Sequence, residues 1–239
     1  MLSRCLPARF SHCSVAPFFP SPALQPLPLP VGPTVVVEET PLTEAMAPAV
    51  TVADWQGLHF GIAAGRPTGD NFWAAPGVGA ESTPGDWSGT MTSLSAGYDW
   101  QRGRLIYGLT LAVSGNGIDA SPTYSETFLC EGCETTVDKL ITLRGRIGLS
   151  SGKTLFFASA GAARADAIGT FSNFTAGKDS LTGWTAGIGV ERFISQKTTL
   201  SAEYLHTDLG RLELPNICNS YCSTDVSFGL VQFGVNYHW

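Results

Sequence analysis

Two close cysteine pairs, Cys130 and Cys133 in CEGC and Cys218 and Cys222 in CNSYC, are the residues whose types and spacing offer chemistry most directly. Four thiolates so arranged could hold a tetrahedral zinc ion, and in an oxidising compartment the same pairs could close into small disulfide loops. His206 and Asp208, separated by one threonine, offer the base and orienting acid of a hydrolytic triad. A triad also needs a positioned nucleophile, and no matching serine motif accompanies them, so His206 reads as a polar residue at a rim. No Walker loop, dinucleotide fingerprint or HExxH motif occurs. Nucleotide and metalloprotease chemistry therefore lack support, and no cofactor is expected.

Composition narrows the setting in which any of this would operate. Only 14% of the 239 residues are charged, against roughly 25% in an ordinary soluble domain, while 44% are hydrophobic. With 14 Lys and Arg against 20 Asp and Glu, nucleic acid is not an expected partner. Apolar runs such as residues 155–163 are far shorter than the ~20 residues of a membrane helix. Eight of the 15 prolines fall in residues 1–33, which read as a disordered leader; residues 34–54 read as a linker. Arg4 and Arg9 resemble the charged start of an export signal, but no apolar core of about 7 to 15 residues follows them, so no signal is recognisable.

From Trp55 onward apolar residues recur at alternate positions, the period of a strand. Eight segments qualify: 55–64, 90–100, 104–114, 138–150, 154–164, 181–193, 198–207 and 226–239. Their connections alternate between short (101–103, 151–153, 194–197) and long (65–89, 115–137, 165–180, 208–225). In an up-and-down meander one end is then closely trimmed and the other carries four large loops, the asymmetry of an outer-membrane barrel.

Alternation alone also suits a soluble lipocalin-like barrel with an oily interior. The second face decides the orientation. Thr142, Arg144, Arg146 and Gly148 oppose Ile141, Leu143, Ile147 and Leu149, and Thr185, Gly187, Gly189 and Glu191 oppose Trp184, Ala186, Ile188 and Val190. Small residues with sparse charges of both signs suit a narrow lumen better than a watered surface. The apolar face is therefore turned to lipid, and Asp99, Arg144, Arg146, Glu191 and Glu203 are expected inside as a paired network that plugs the barrel. The competing reading leaves some of these charges in solvent at strand ends. In the last segment Phe233, Val235, Tyr237 and Trp239 share one face, whereas Phe228 and Leu230 fall on the other parity, which predicts a bulge or a loop boundary near Gly229.

The stretches DWQGLHFGIAAG, LSAGYDWQRGRLIYG and VQFGVNYHW together resemble the small outer-membrane β-barrel family of Gram-negative bacteria. That family includes surface antigens of α-proteobacteria and shares its architecture with the transmembrane domain of outer-membrane protein A. The resemblance covers residues 55–239. It implies an all-β, eight-stranded antiparallel barrel in the outer membrane, with membrane lipid as its surroundings. It also implies insertion by the barrel-assembly machinery, which reads the C-terminal strand, here Phe233, Val235, Tyr237 and Trp239. Members usually end in Phe rather than Trp, and a misassigned start codon accounts for the unrecognisable export signal. Because the two cysteine pairs sit in loops of well-separated strand pairs on an oxidising surface, two loop-internal disulfides are expected, with zinc or cross-loop pairing as the competing readings.

The function expected on these grounds is non-enzymatic: envelope structure and surface exposure, with a lumen closed by side chains. The alternatives are a small-solute porin, an adhesin binding a host or surface ligand through its long loops, and an outer-leaflet lipid-modifying enzyme. The loop aromatics Phe72, Trp73, Trp87, Phe128, Phe171, Phe174 and Tyr221 are expected to be exposed.

Overall fold

The computed structural model describes residues 53–239 except 78, 124, 127–131, 173 and 219–221, and the side chains of residues 217 and 218. The leader at 1–33 and all but the last two residues of the linker at 34–54 lie outside the described residues.

Eight long strands form the wall: β1 (Gly57–Thr68), β2 (Met91–Arg102), β3 (Leu105–Gly115), β4 (Cys133–Ser151), β5 (Thr154–Phe171), β6 (Phe174–Phe193), β7 (Thr198–Glu213) and β8 (Ser223–His238). Each is antiparallel to the next, and β1 pairs back onto β8 from His59↔His238 to Thr68↔Gly229. Every wall strand thus has a partner on both sides, the arrangement that lets a sheet cross lipid without bare backbone edges. The tight turns begin at Gly103 and Gly152, both at φ 60, a conformation that disfavours any residue with a Cβ.

The alternation read from sequence turns outward as expected. Leu105, Tyr107, Leu109, Leu111 and Val113 are exposed, while Ile106, Gly108, Thr110, Ala112 and Ser114 face inward. The same holds for Ile141, Leu143, Ile147 and Leu149 on β4 and for Trp184 and Ile188 on β6. An apolar belt this continuous is stable only against hydrocarbon. Trp100 stacks on Tyr107 with centroids 5.7 Å apart, and Lys197 lies 5.5 Å over Trp239. These rings form an aromatic girdle at the short-turn end.

Two sequence expectations fail here. Residues 165–180 are no loose loop: β5 continues to Phe171 and β6 starts at Phe174, so they form a hairpin projecting beyond the belt. The inward residues there are Ala165, Ala167 and Ala176, too small to register as an apolar stripe although all three are buried. Nor is there a bulge or a loop boundary at Gly229, which lies inside β8 and pairs regularly with Thr68 and His206. The irregularity in that ladder lies between Asp208 and Arg211. Phe228 and Leu230 simply share the inward parity of Gln232, Asn236 and His238, because the interior is apolar at their level.

Short strands complete the long-loop end. Trp73–Ala75 pairs with β8 at Ser223 and Thr224, Gly85–Gly89 pairs with Ile118–Ala120, and the latter pairs with β4 from Thr135 to Val137.

Candidate functional site: the barrel interior

The interior is filled in three layers. At the short-turn end Trp55, Ile106, Leu155 and Phe193 form a buried apolar cluster. Trp55 precedes β1 and is held there by Gln101, whose Oε1 accepts its backbone N–H at 2.7 Å. Its ring lies 4.4 Å from that of Phe193.

The middle layer is ionic. All five charged residues singled out from the sequence meet here, carried by β2, β4, β6 and β7. Arg146 donates through Nε to Asp99 Oδ1 at 2.8 Å, through Nη2 to Asp99 Oδ2, and through Nη1 to Glu191 Oε2 at 2.9 Å. Glu191 Oε1 also accepts from Thr199 Oγ1 at 2.5 Å and Asn236 Nδ2 at 2.8 Å, and His238 Nε2 lies 3.0 Å away. A second group sits beside it. Arg144 Nη1 donates to Glu203 Oε1 at 2.6 Å, Ser159 Oγ donates to the same oxygen at 2.9 Å, and Gln232 Nε2 donates to Glu203 Oε2 at 2.7 Å. Burial makes such pairing obligatory, since a lone ion in this environment costs several kcal/mol, of order 3–5.

Neither histidine beside these carboxylates belonged to the network read from the sequence. His59 Nε2 stands 3.8 Å from Asp99 Oδ2, and the His59 and His238 rings are 5.6 Å apart. Both are buried. Their inward parity, shared with Asn236 and Gly61, was the signal available. Three carboxylates (Asp99, Glu191, Glu203) against two guanidiniums (Arg144, Arg146) leave one negative charge, and the two imidazoles lie beside the carboxylates of that group. Above these ions a cavity of about 60 Å³, lined by Ser93, Ser95, Thr110, Thr142 and Arg144, leaves room for a few water molecules.

The third layer lies at the long-loop end. Trp73, Trp87, Met91, Ile118, Leu212 and Phe228 are prominent in a large buried cluster. Trp73 Nε1 donates to Thr135 Oγ1 at 2.8 Å, Thr135 Oγ1 donates to Asn71 Oδ1 at 2.9 Å, and Asn71 Nδ2 donates to Thr224 Oγ1 at 2.8 Å. Trp87 Nε1 donates to the Ser227 carbonyl at 3.0 Å. Trp73 and Trp87, expected as exposed loop aromatics, are therefore buried: each ring finds apolar contact and its N–H an acceptor inside the mouth. Phe174 is exposed as expected, whereas Phe128 and Tyr221 lie outside the described residues.

The remaining candidates are dispersed. His206 faces outward beside Trp184, ring centroids 5.4 Å apart, and Asp208 Oδ1 accepts the Gly210 backbone N–H. Among the described residues no hydroxyl or thiol hydrogen-bonds to the His206 ring, and no cluster of His, Cys, Asp and Glu is arranged to hold a metal. Cys133 and Cys222 are buried and disulfide-bonded. Cys130 and the side chain of Cys218 lie outside the described residues. Phe233, Val235, Tyr237 and Trp239 all point outward, and the Trp239 backbone N–H donates to Leu58 O at 2.8 Å, fastening the terminus to β1.

Comparison with known proteins places this architecture. The profile of the outer membrane protein beta-barrel domain matches residues 42–238. The chain belongs to this outer-membrane β-barrel family. The 31 kDa outer-membrane immunogenic protein of Brucella melitensis is 29% identical over 223 residues, covering 84% of this chain and 90% of that one. The 22 kDa outer membrane protein of Rhizobium leguminosarum bv. viciae is 27% identical over 162 residues, covering 68% of each. Among solved structures the outer membrane protein OprG from Pseudomonas aeruginosa superposes with a TM-score of 0.52 at 10% identity, covering 78% of this chain and 99% of that one, a likeness of fold alone. Like its relatives, this outer-membrane β-barrel protein resides in the outer membrane, its apolar belt in contact with lipid.

Proposed function

We propose that this outer-membrane barrel is a non-enzymatic, surface-exposed envelope protein whose lumen is closed by its own side chains. The observation that carries the reading is Arg146, whose guanidinium is engaged by Asp99 from β2 and Glu191 from β6 within the lumen. A solute would have to break buried ion pairs in the middle layer and displace tryptophans at both ends. The alternative of a small-solute porin requires all three layers to open. The absence of a nucleophile at the outward-facing His206, among the described residues, favours the non-enzymatic reading over lipid modification.

The long connections and the projecting β5–β6 hairpin at one end support surface exposure, and a relative bearing the name immunogenic protein fits a face seen from outside the cell. Ligand binding by those loops, and recognition of Phe233, Val235, Tyr237 and Trp239 by the barrel-assembly machinery, belong to the same proposal. Planar-bilayer recording of the purified protein tests the closed lumen. Current at the bare-membrane level is expected, and steady unitary steps would overturn the reading.

A further inference from the structure

Among the described residues, four buried side-chain polar atoms lack a hydrogen-bond partner, and three of them meet around His238 at the base of the lumen: Trp55 Nε1, His59 Nε2 and His238 Nδ1. His59 and His238 are directly paired across the seam of β1 and β8 with their rings 5.6 Å apart, and the Trp55 ring stands edge-on to His238, also at 5.6 Å. His59 Nε2 is 3.8 Å from Asp99 Oδ2, beyond hydrogen-bond range. The tryptophans of the opposite end differ, since the indole N–H groups of Trp73 and Trp87 each have an acceptor. A buried polar atom that loses water and gains no partner offsets much of what burial of an aromatic ring contributes. Trp55 is therefore held less firmly than its complete burial suggests.

Its attachment is slight as well. Residues 53–56 precede β1 and belong to no strand. They run across the short-turn mouth as a strap, from the turn between β4 and β5 at Gly152 to β1 on the far side of the ring. Among the described residues three hydrogen bonds tie this strap to the wall. Trp55 N–H donates to Gln101 Oε1 at 2.7 Å, Gln101 Nε2 donates to the Ala53 carbonyl at 3.2 Å, and Ala53 N–H donates to the Gly152 carbonyl at 3.3 Å. Two of the three thus depend on one carboxamide. Asp54 and Gln56, on either side of Trp55, are exposed, so a single fully buried side chain anchors the strap. The strap joins β1 at Gly57, whose φ of 135° lies in the region that glycine enters readily and other residues do not. A short element with few bonds, one anchor and a glycine joint is where local opening costs least.

We propose that residues 53–56 form a lid hinged at Gly57, which swings Trp55 out of the short-turn mouth and opens the His59 and His238 pair to the periplasm. In the open state the indole N–H and both imidazoles regain the water that the closed state denies them. The short-turn end is the periplasmic one in this architecture. Arg146, Asp99 and Glu191 stay bonded to one another above the opened mouth, so the lid governs access to the imidazoles and does not require the lumen to conduct. The test is the rate at which diethyl pyrocarbonate modifies each histidine of the full-length protein in mild detergent, read by peptide mass spectrometry. Heat-dependent gel mobility checks that each variant is folded. In the parent, His59 and His238 should react more slowly than the outward-facing His206. Gln101→Ala should raise the rates at His59 and His238 about tenfold, the shift in open population expected for two lost hydrogen bonds, and leave His206 unchanged. Gln101→Glu keeps the acceptor for Trp55 N–H and should give a smaller rise at the same two residues. Parent-like rates at His59 and His238 in the folded variants, or an equal rise at His206, would overturn the lid.

Discussion

Asp99 on β2 and Arg146 on β4 join through two parallel hydrogen bonds directly over Gly108 of the intervening β3. The three residues share one row of the sheet, Asp99↔Gly108↔Arg146, and a Cβ on Gly108 would fall 2.0 Å from Asp99 Oδ1. Two long charged side chains can reach each other here because the residue between them has none.

Gly108→Ala should therefore destabilise the barrel by about 1–3 kcal/mol. The new methyl group meets both the Asp99 carboxylate and the Tyr98 carbonyl oxygen, and the latter is backbone that cannot rotate away. Urea unfolding in lipid vesicles, followed by tryptophan fluorescence, measures the shift. An unchanged midpoint would contradict the packing argument.

Arg146→Gln should be more severe, at about 3–5 kcal/mol, because Asp99 and Glu191 are then buried without their shared cation. Adding Asp99→Asn to that variant should recover part of the loss. Additive single and double values would show that the residues are not coupled.

Trp73→Ala removes a buried ring at the long-loop end and its bond to Thr135, with an expected cost of about 3–5 kcal/mol. Protease added to intact cells should then cut the segment between β1 and β2 faster than in the parent. Bilayer current should stay at baseline, since on the proposed reading the ionic layer below closes the lumen by itself.

The cysteine proposal predicts two loop-internal bridges, Cys130 to Cys133 and Cys218 to Cys222. Peptide mapping of unreduced protein should recover each pair within a single loop peptide. Thiol labelling of all four in unreduced protein would count against disulfides.

A detergent-resistant barrel should migrate faster in gels before boiling than after. His206→Ala should leave the acylation pattern of cellular lipid unchanged, and an altered pattern would point to the lipid-modifying alternative.

Much of this architecture was legible because the wall is a local, periodic object. Eight alternating segments, short and long connections in turn, and a polar face of Gly, Thr and sparse Arg and Glu follow from nearest-neighbour geometry, since successive strand residues point to opposite faces. That parity also put Asp99, Arg144, Arg146, Glu191 and Glu203 on the inner face. What the alternation could not carry was height along the barrel. Phe228 and Leu230 looked like lipid-facing residues out of phase, yet they lie inside at the apolar upper level, and Trp73 and Trp87 turn from loop into lumen to join them. The pairing of Arg146 with Asp99 rather than Glu203, and the place of His59 and His238 beside those carboxylates, likewise depend on register across strands distant in sequence. The sequence by itself determined which face each residue takes, because a pleated strand offers only two. Tertiary structure decided which residues meet, because closing the ring sets eight strands in register at once and no single segment contains that information.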